Sequence, residues 1–174
     1  VWKNSEDNAF QELYRAWKDD PYYSKVVSAA TIKNTKYCQK HADSLIVSID
    51  WPDYLEKQKF EYLHMRCIPN SNDLLQKNTG KNGLFKIVHA TNHPHFKGTR
   101  YLEKAVAEIN ENGKICELII LMAKKNSDVL DIIRNSDIVF DQILLGAYGR
   151  LAIEAMSFGK PVICYLRDDF KKLY

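Results

Sequence analysis

Lys97 and Gly98 end a turn, His89-Ala-Thr-Asn-His-Pro-His-Phe-Lys-Gly, that connects a strand-like apolar run to a helix-like one. Lys97 stands at the start of that helix, where the N-terminal amides and the helix dipole already favour an anion. Gly98 leaves room for close approach, so a phosphate could bind in this turn. Taken alone, a solvated lysine before a helix-starting glycine is the more common arrangement. The turn lacks a GxGxxG pattern, which disfavours NAD or FAD.

A second turn contains two glycines, Gly146 and Gly149, and opens another predicted helix. The first amides of this helix, beginning with those of Gly149 and Arg150, form a second position suited to an anion. Glu154 follows just over one helical turn later among apolar neighbours, where a carboxylate needs donors such as ribose or sugar hydroxyls. Two plainer interpretations stay open: Glu154 faces solvent, or it pairs with Arg150 on the same helix.

Three histidines in the first turn, His89, His93 and His95, have a spacing at which imidazoles can converge on a metal ion. No cysteine or carboxylate nearby completes a ligand set, so we predict a polar loop and no metal site. Asn92 and His93 remain candidates to donate a hydrogen bond to a phosphate or a sugar.

Both turns belong to a predicted α/β domain. Strand-like runs over 85–90, 118–122, 138–140 and 161–166 alternate with predicted helices over 99–112 and 148–158 and with one capped by Ser127. On the first of these helices, Leu102, Val106 and Ile109 share one face. This alternation indicates a Rossmann-like parallel sheet with flanking helices. Such sheets bind ligands at the carboxyl ends of their strands, which points to the turns after these four runs.

The first part of the chain, residues 1–69, is predicted to be mostly helical, with helices over 6–18 and about 23–42 and short strands over 44–48 and 62–68. Residues 70–83 turn polar, with two glycines near their end, and form the predicted linker. Residues 84–174 then make the Rossmann-like domain. Because the chain starts at Val1 and ends just after a strand-like run, we expect it to be part of a longer protein.

Composition excludes several classes of protein. The chain has 174 residues, of which 45% are hydrophobic and 27% charged, which disfavours a disordered chain. The net charge is only +3 and the basic residues are scattered along the chain, which disfavours a nucleic-acid partner. The longest apolar run, over 118–123, is far below the roughly 20 residues that span a bilayer. The four cysteines form no CxxC pair, and three of them lie beside apolar sequence that suits reduced, buried thiols, so we expect a cytoplasmic protein.

The order of these features resembles the donor-binding half of a GT-B glycosyltransferase, most closely glycosyltransferase family 4, the glycosyl transferases group 1 family. The resemblance rests on Lys97-Gly98, on the glycine turn Gly146-Ala-Tyr148-Gly149 leading to Glu154-Ala-Met, and on the following Gly-Lys-Pro-Val. It covers about 42–166 and is most specific over 137–164. Residues 1–69 then correspond to the end of the family's N-terminal, acceptor-side domain.

The resemblance implies roles for single residues. Lys97 and Glu154 are the candidate catalytic residues, and Lys97, Gly98, Gly149 and Arg150 are expected to bind the donor phosphates. Asn92, His93, Gly146, Tyr148 and Glu154 are expected to contact the donor nucleoside or sugar. The implied reaction is metal-independent and uses no cofactor, since the nucleoside-diphosphate sugar is the donor substrate. The charge that develops on the leaving diphosphate would be stabilised electrostatically.

The implied partners are a nucleotide sugar and a glycan or lipid-linked acceptor, as in polysaccharide or glycan biosynthesis. Peripheral membrane association and the oligomeric state stay open. Two positions depart from the family pattern. Gly146 stands where a sugar-contacting glutamate is usual, with Asp141 and Gln142 just upstream as its candidate replacements, and Asn92 stands where an arginine is usual. These departures keep two alternatives open: a non-catalytic nucleotide-sugar-binding module, or a GT-B nucleotide-sugar epimerase.

Overall fold

A computed structural model of the chain describes residues 15, 29–47, 60–62 and 83–171. The predicted helix over 6–18 lies outside this range except for Arg15, which is helical. The predicted linker lies outside it except for Gly83, and so does most of the strand predicted over 62–68.

The first described segment contains a helix and a small parallel sheet. Helix α1 spans Ala29–His41, and strands β1 (Leu45–Val47) and β2 (Phe60–Tyr62) pair in parallel, with Leu45 opposite Phe60. The helix and the first strand lie within the predicted ranges, whereas the second strand meets its predicted range only at Tyr62. Cys38 is exposed on α1.

A four-stranded parallel sheet with flanking helices forms the second segment, which confirms the α/β prediction. Its elements in chain order are β3 (Phe85–Ala90), α2 (Pro94–Lys97), α3 (Thr99–Ile109), β4 (Cys116–Leu121), α4 (Asn126–Arg134), β5 (Ile138–Gln142), α5 (Arg150–Ser157), β6 (Val162–Cys164) and α6 (Asp168–Lys171). The strands are arranged in the order β4-β3-β5-β6, and every neighbouring pair is parallel.

Apolar residues on both faces of this sheet explain why it is parallel and covered on both sides. On one face, Val88 and Val139 pack with Val129 and Ile133 of α4 and with α5. The other face has its own cluster, formed by Ile87, Leu102, Val106, Cys116 and Phe140, so α3 covers it. Adjacent strand residues therefore point into different clusters, as the alternation of side chains along a strand requires.

Several predicted details differ in the structure. Ile109, expected on the buried face of α3, is 50% exposed because the helix ends there and Asn110 is its C-cap. Ser127 does not cap α4: the N-cap is Lys125, and the Ser127 hydroxyl bonds to the Asp128 carboxylate instead. Helix α5 begins two residues later than predicted, at Arg150, because Gly149 has extended backbone geometry.

The strand order creates a switch point between β3 and β5. The chain passes from β3 outward to β4 and then crosses back over β3 to place β5 on its other side. The connections that follow β3 and β5 therefore leave in opposite directions, which opens a crevice at the carboxyl ends of these two strands. Lys97 follows β3 and the start of α5 follows β5, so both border this crevice.

We expect Gly98→Ala to destabilise the chain more than Gly159→Ala. Both glycines have positive φ, +79° and +67°, which costs about 1–2 kcal/mol for any residue with a Cβ. A Cβ at Gly98 would also lie 3.0 Å from Ile143 Cγ1 and 3.3 Å from Leu144 Cγ, whereas one at Gly159 would meet nothing within 4 Å. The crowded site adds a further cost of about 1 kcal/mol or more. Urea denaturation of the two variants measures the difference, and equal losses would contradict this account.

Candidate functional site

An ion pair lies at the carboxyl ends of β3 and β5. Lys97 Nζ donates to Asp141 Oδ1 at 2.8 Å; the lysine side chain is 20% exposed and the aspartate is completely buried. The backbone supports the contact, because the Ile143 N–H donates to the Lys97 carbonyl at 3.2 Å. The predicted phosphate-binding lysine is therefore already held by a carboxylate of its own chain.

The second oxygen of Asp141 caps helix α5. Oδ2 accepts the backbone N–H of Gly149 at 2.5 Å, which satisfies the amide of the N-cap residue. A Cβ at position 149 would lie 3.1 Å and 3.2 Å from the two carboxylate oxygens, so the glycine makes this approach possible. The Gly149 amide, predicted to bind a phosphate, binds Asp141 in this structure. The amides of Arg150 and Leu151 come next at the same helix start.

Gly98 lies at the junction of two helices and is closely packed. Its left-handed backbone ends α2 and begins α3, and the space beside it is filled by Ile143 and Leu144 from the segment after β5. The glycine therefore serves the backbone turn and the packing of the two strand ends. On the side of Gly98 that these two side chains fill, there is no room for a phosphate.

Arg167 covers Gly146, where the sequence differs from the pattern of the family that it resembles. A Cβ at Gly146 would lie 2.3 Å from Arg167 Cγ and 2.7 Å from Cδ, and the Arg167 N–H donates to the Gly146 carbonyl at 2.9 Å. Sequence reasoning did not single out Arg167. Its position just after β6, in one of the four turns expected to hold the site, was the available signal.

Glu154 lies half-buried on α5. Among the residues that the structure describes, its carboxylate makes no hydrogen bond and no ion pair, and Arg150 is exposed without contacting it. The Arg150–Glu154 pair, left open by the sequence, is therefore not formed here. Tyr148 is half-buried just before the helix. Glu154 keeps its acceptor capacity for a ligand.

Asn92 connects the ends of two strands. Its side-chain oxygen accepts the Ala123 N–H at 2.8 Å and thereby supports Ala123, which has a φ of +51°. The neighbouring His93 N–H donates to the Thr91 hydroxyl at 3.0 Å. The structure thus gives Asn92 a role in shaping the loops at the sheet end, and its predicted contact with a ligand stays a prediction.

His89 is a core residue. It is completely buried; Nδ1 lies 2.9 Å from the Phe140 carbonyl and Nε2 lies 2.8 Å from the Thr99 hydroxyl. Both ring nitrogens are thus engaged, so His89 is not available to join His93 and His95 around an ion. Within the described part of the chain, no three histidine, cysteine or carboxylate residues are placed to hold a metal.

Gln142 holds the glycine turn. Its Nε2 donates to the carbonyls of Ala147 at 2.9 Å and Tyr165 at 2.8 Å, and its Oε1 accepts the Leu145 N–H at 2.7 Å. Gln142 and Asp141 are both completely buried, and the suggestion that they replace the glutamate of the resembled family stays a prediction. The hydrogen bonds of these two side chains to the backbone fix the conformation of the turn between β5 and α5.

Protonation of His89 is expected to destabilise the fold below pH 6.5. Burial is the main cause that lowers the pKa of His89 below its ordinary value of 6.5, with a smaller contribution from Lys97. Below pH 6.5 the unfolded chain binds a proton that the folded chain does not, so the free energy of unfolding falls by up to about 1.4 kcal/mol per pH unit until the folded pKa is reached. Urea denaturation between pH 5 and 8 measures this slope.

His89→Gln removes this titration and should flatten the slope, at the expense of lower stability at neutral pH. The matched control is His95→Gln, which replaces an exposed histidine on α2 and should keep the wild-type slope. An unchanged slope in His89→Gln would contradict the assignment.

Cys164 should resist alkylation in the folded chain. Burial, with a contribution from Asp141, raises the pKa of its thiol to about 11. At pH 8 the reactive thiolate is then on the order of a hundredfold scarcer than in the unfolded chain. Peptide mass spectrometry after iodoacetamide treatment, with and without denaturant, measures the two rates. Cys38 is the exposed control, and a Cys164 that reacts equally fast in both states would refute the prediction.

Comparison with known proteins adds no family assignment. No protein-family model matches the chain, and no curated protein matches it either. Within the described residues, no helix has the length and apolar character needed to cross a bilayer. The resemblance to glycosyltransferase family 4 therefore stays a prediction, and the function is inferred from the contacts and topology described above.

Proposed function

We propose that this chain carries the nucleotide-sugar-binding site of a GT-B glycosyltransferase, which transfers a sugar from a nucleoside-diphosphate donor to a glycan or lipid-linked acceptor. The observation that carries the proposal is the position of Lys97 and the start of α5 on either side of the switch point between β3 and β5. Ligands of open parallel sheets bind at this point.

The phosphates of the donor would bind at the start of α5. The amides of Arg150 and Leu151 are among the first of the helix, where no intrahelical acceptor exists and the dipole favours negative charge. Lys97 is 20% exposed, and its ammonium group has three donors, of which Asp141 takes one. The remaining donors can bind a phosphate oxygen beside the helix.

The ribose would bind at Glu154. Its half-buried carboxylate, free of partners within the described chain, is an acceptor without a donor. The two neighbouring hydroxyls of a ribose are such donors, and one carboxylate can accept a hydrogen bond from each of them. During transfer, the bond between the sugar and the diphosphate breaks, and negative charge grows on the leaving phosphate. The helix amides and the Lys97 ammonium group would stabilise that charge.

A non-catalytic nucleotide-binding module is the second candidate. It is favoured by the Lys97–Asp141 pair, because a lysine neutralised by a buried carboxylate stabilises a leaving diphosphate less than a lone cation would. Measured binding of nucleotide sugars with no sugar release, across donors and with acceptors present, would support this candidate over the transferase.

We expect the chain to bind UDP or GDP more tightly than the corresponding nucleoside. Lys97→Gln should lower the affinity for the diphosphate about tenfold or more, the usual effect of losing a hydrogen bond from a charged group, while leaving the affinity for the nucleoside unchanged. Glu154→Gln should reduce the preference for UDP over 2′-deoxy-UDP. Isothermal titration calorimetry gives the dissociation constants.

Two matched controls lie away from the carboxyl ends of the strands. Lys160→Gln removes a half-buried lysine whose ammonium group donates to the Ser136 carbonyl at 2.8 Å, before β5 begins. Glu117→Gln removes a half-buried carboxylate near the start of β4. Both variants should bind the nucleotide as the wild type does. If the wild type binds neither UDP nor GDP, the proposed function is wrong.

A further inference from the structure

One carboxylate binds both elements that border the switch-point crevice. Asp141 accepts from Lys97, which follows β3, and from the Gly149 amide, which begins the helix after β5. Its two oxygens are thus divided between a cation and a helix N-terminus. The positions of these two groups relative to each other depend on this one side chain.

The pair cannot open without a large loss of stability. Asp141 is completely buried on a central strand, so its carboxylate cannot turn towards water to replace a lost partner. Separating it from Lys97 would leave an uncompensated buried charge, which is strongly destabilising. Lys97 therefore keeps its contact with Asp141 when a ligand arrives, and the ligand meets a lysine whose direction is already set.

We propose that Asp141 is a positioning residue of the diphosphate site, which holds the Lys97 ammonium group beside the first turn of α5. This inference rests on the proposed function. The diphosphate then meets the cation and the helix amides at a fixed separation, without ordering a flexible lysine side chain. Because that ordering is already present in the free protein, the affinity for the diphosphate is higher than a solvated lysine would give.

The opposite role, in which Asp141 competes with the phosphate for Lys97, fits the burial less well. The lysine side chain is 20% exposed and the carboxylate is not exposed at all, so an incoming anion meets the cation first. Gly149 adds to this arrangement, because its missing side chain lets Asp141 approach the helix from inside the sheet. Arg150, the first residue of the helix, is exposed, so a ligand can reach the helix start there.

The test measures UDP, GDP and uridine affinity for the wild type, Asp141→Asn, Lys97→Gln and the double variant. Asp141→Asn should weaken the binding of the diphosphate about tenfold and leave uridine binding unchanged. In the Lys97→Gln background the same substitution should change the affinity less than about twofold, because there is no ammonium group left to position. This coupling is a readout that a general loss of stability does not produce.

A matched control lies just before the same strand. Asp137, just before β5, accepts the Lys86 N–H through Oδ2 at 2.7 Å near the opposite end of the sheet. Asp137→Asn therefore removes a carboxylate that also binds a backbone amide, and it should leave the diphosphate affinity unchanged.

Gly149→Ala keeps the test decisive if Asp141→Asn does not fold. The added Cβ presses on the carboxylate from 3.1 Å and shifts it while every charge remains, and the φ of −97° at this position suits alanine. We expect weaker diphosphate binding, by several-fold. Competition by Asp141 predicts unchanged or tighter binding.

Each outcome decides a specific point. If the wild type binds UDP or GDP and Asp141→Asn binds it equally well or more tightly, the positioning role is wrong and the proposed function stands. Unchanged binding by Gly149→Ala likewise contradicts the positioning role alone. If the wild type binds neither nucleotide, both the proposed function and this inference are wrong.

Discussion

The buried charge of Asp141 is the constraint on which the arrangement of the sheet end depends. A carboxylate without solvent is stable only if it has partners for its charge and for both of its oxygens. The chain supplies one partner from the turn after β3 and the other from the helix after β5, so the two central strands are joined at their ends by a single residue. Moving either turn would leave Asp141 unsatisfied.

Other buried polar side chains lie close to Asp141. His89, Asp141 and Gln142 are completely buried near the ends of β3 and β5, and each makes hydrogen bonds to another element. The central parts of the same strands are apolar and pack against the helices. The sheet thus changes from an apolar core to a hydrogen-bonded network along its strands, and the network gives the connecting turns defined conformations.

The strands and helices were predictable because each one is a local pattern. The four apolar runs and the spacing of Leu102 and Val106 depend only on residues near one another in the chain. Ser127 shows the limit of such patterns. Serine is a suitable N-cap residue type, but helix α4 has Lys125 as its N-cap. The order of the strands, and with it the switch point, depends on contacts between distant segments.

The candidate site was predictable in its position and not in its internal contacts. Lys97, Gly149 and Glu154 all lie in or next to turns that the sequence had indicated. The pairing of Lys97 with Asp141 spans 44 residues of sequence, and no local pattern contains it. The sequence predicts room for a phosphate beside Gly98 and a phosphate-binding amide at Gly149. In the structure Ile143 and Leu144 fill the space beside Gly98, and Asp141 accepts the Gly149 N–H.

Gly146 and Arg167 illustrate how one side chain restricts the residue type at another position. The arginine stem occupies the volume that any side chain at 146 would need, and the backbones of the two residues are hydrogen-bonded. A glutamate introduced at 146 alone would meet that stem and would also take a left-handed backbone conformation. Introducing a side chain at position 146 therefore requires a paired change, in which residue 167 becomes smaller before or together with residue 146. Engineering of this edge of the sheet has to treat the two residues as one unit.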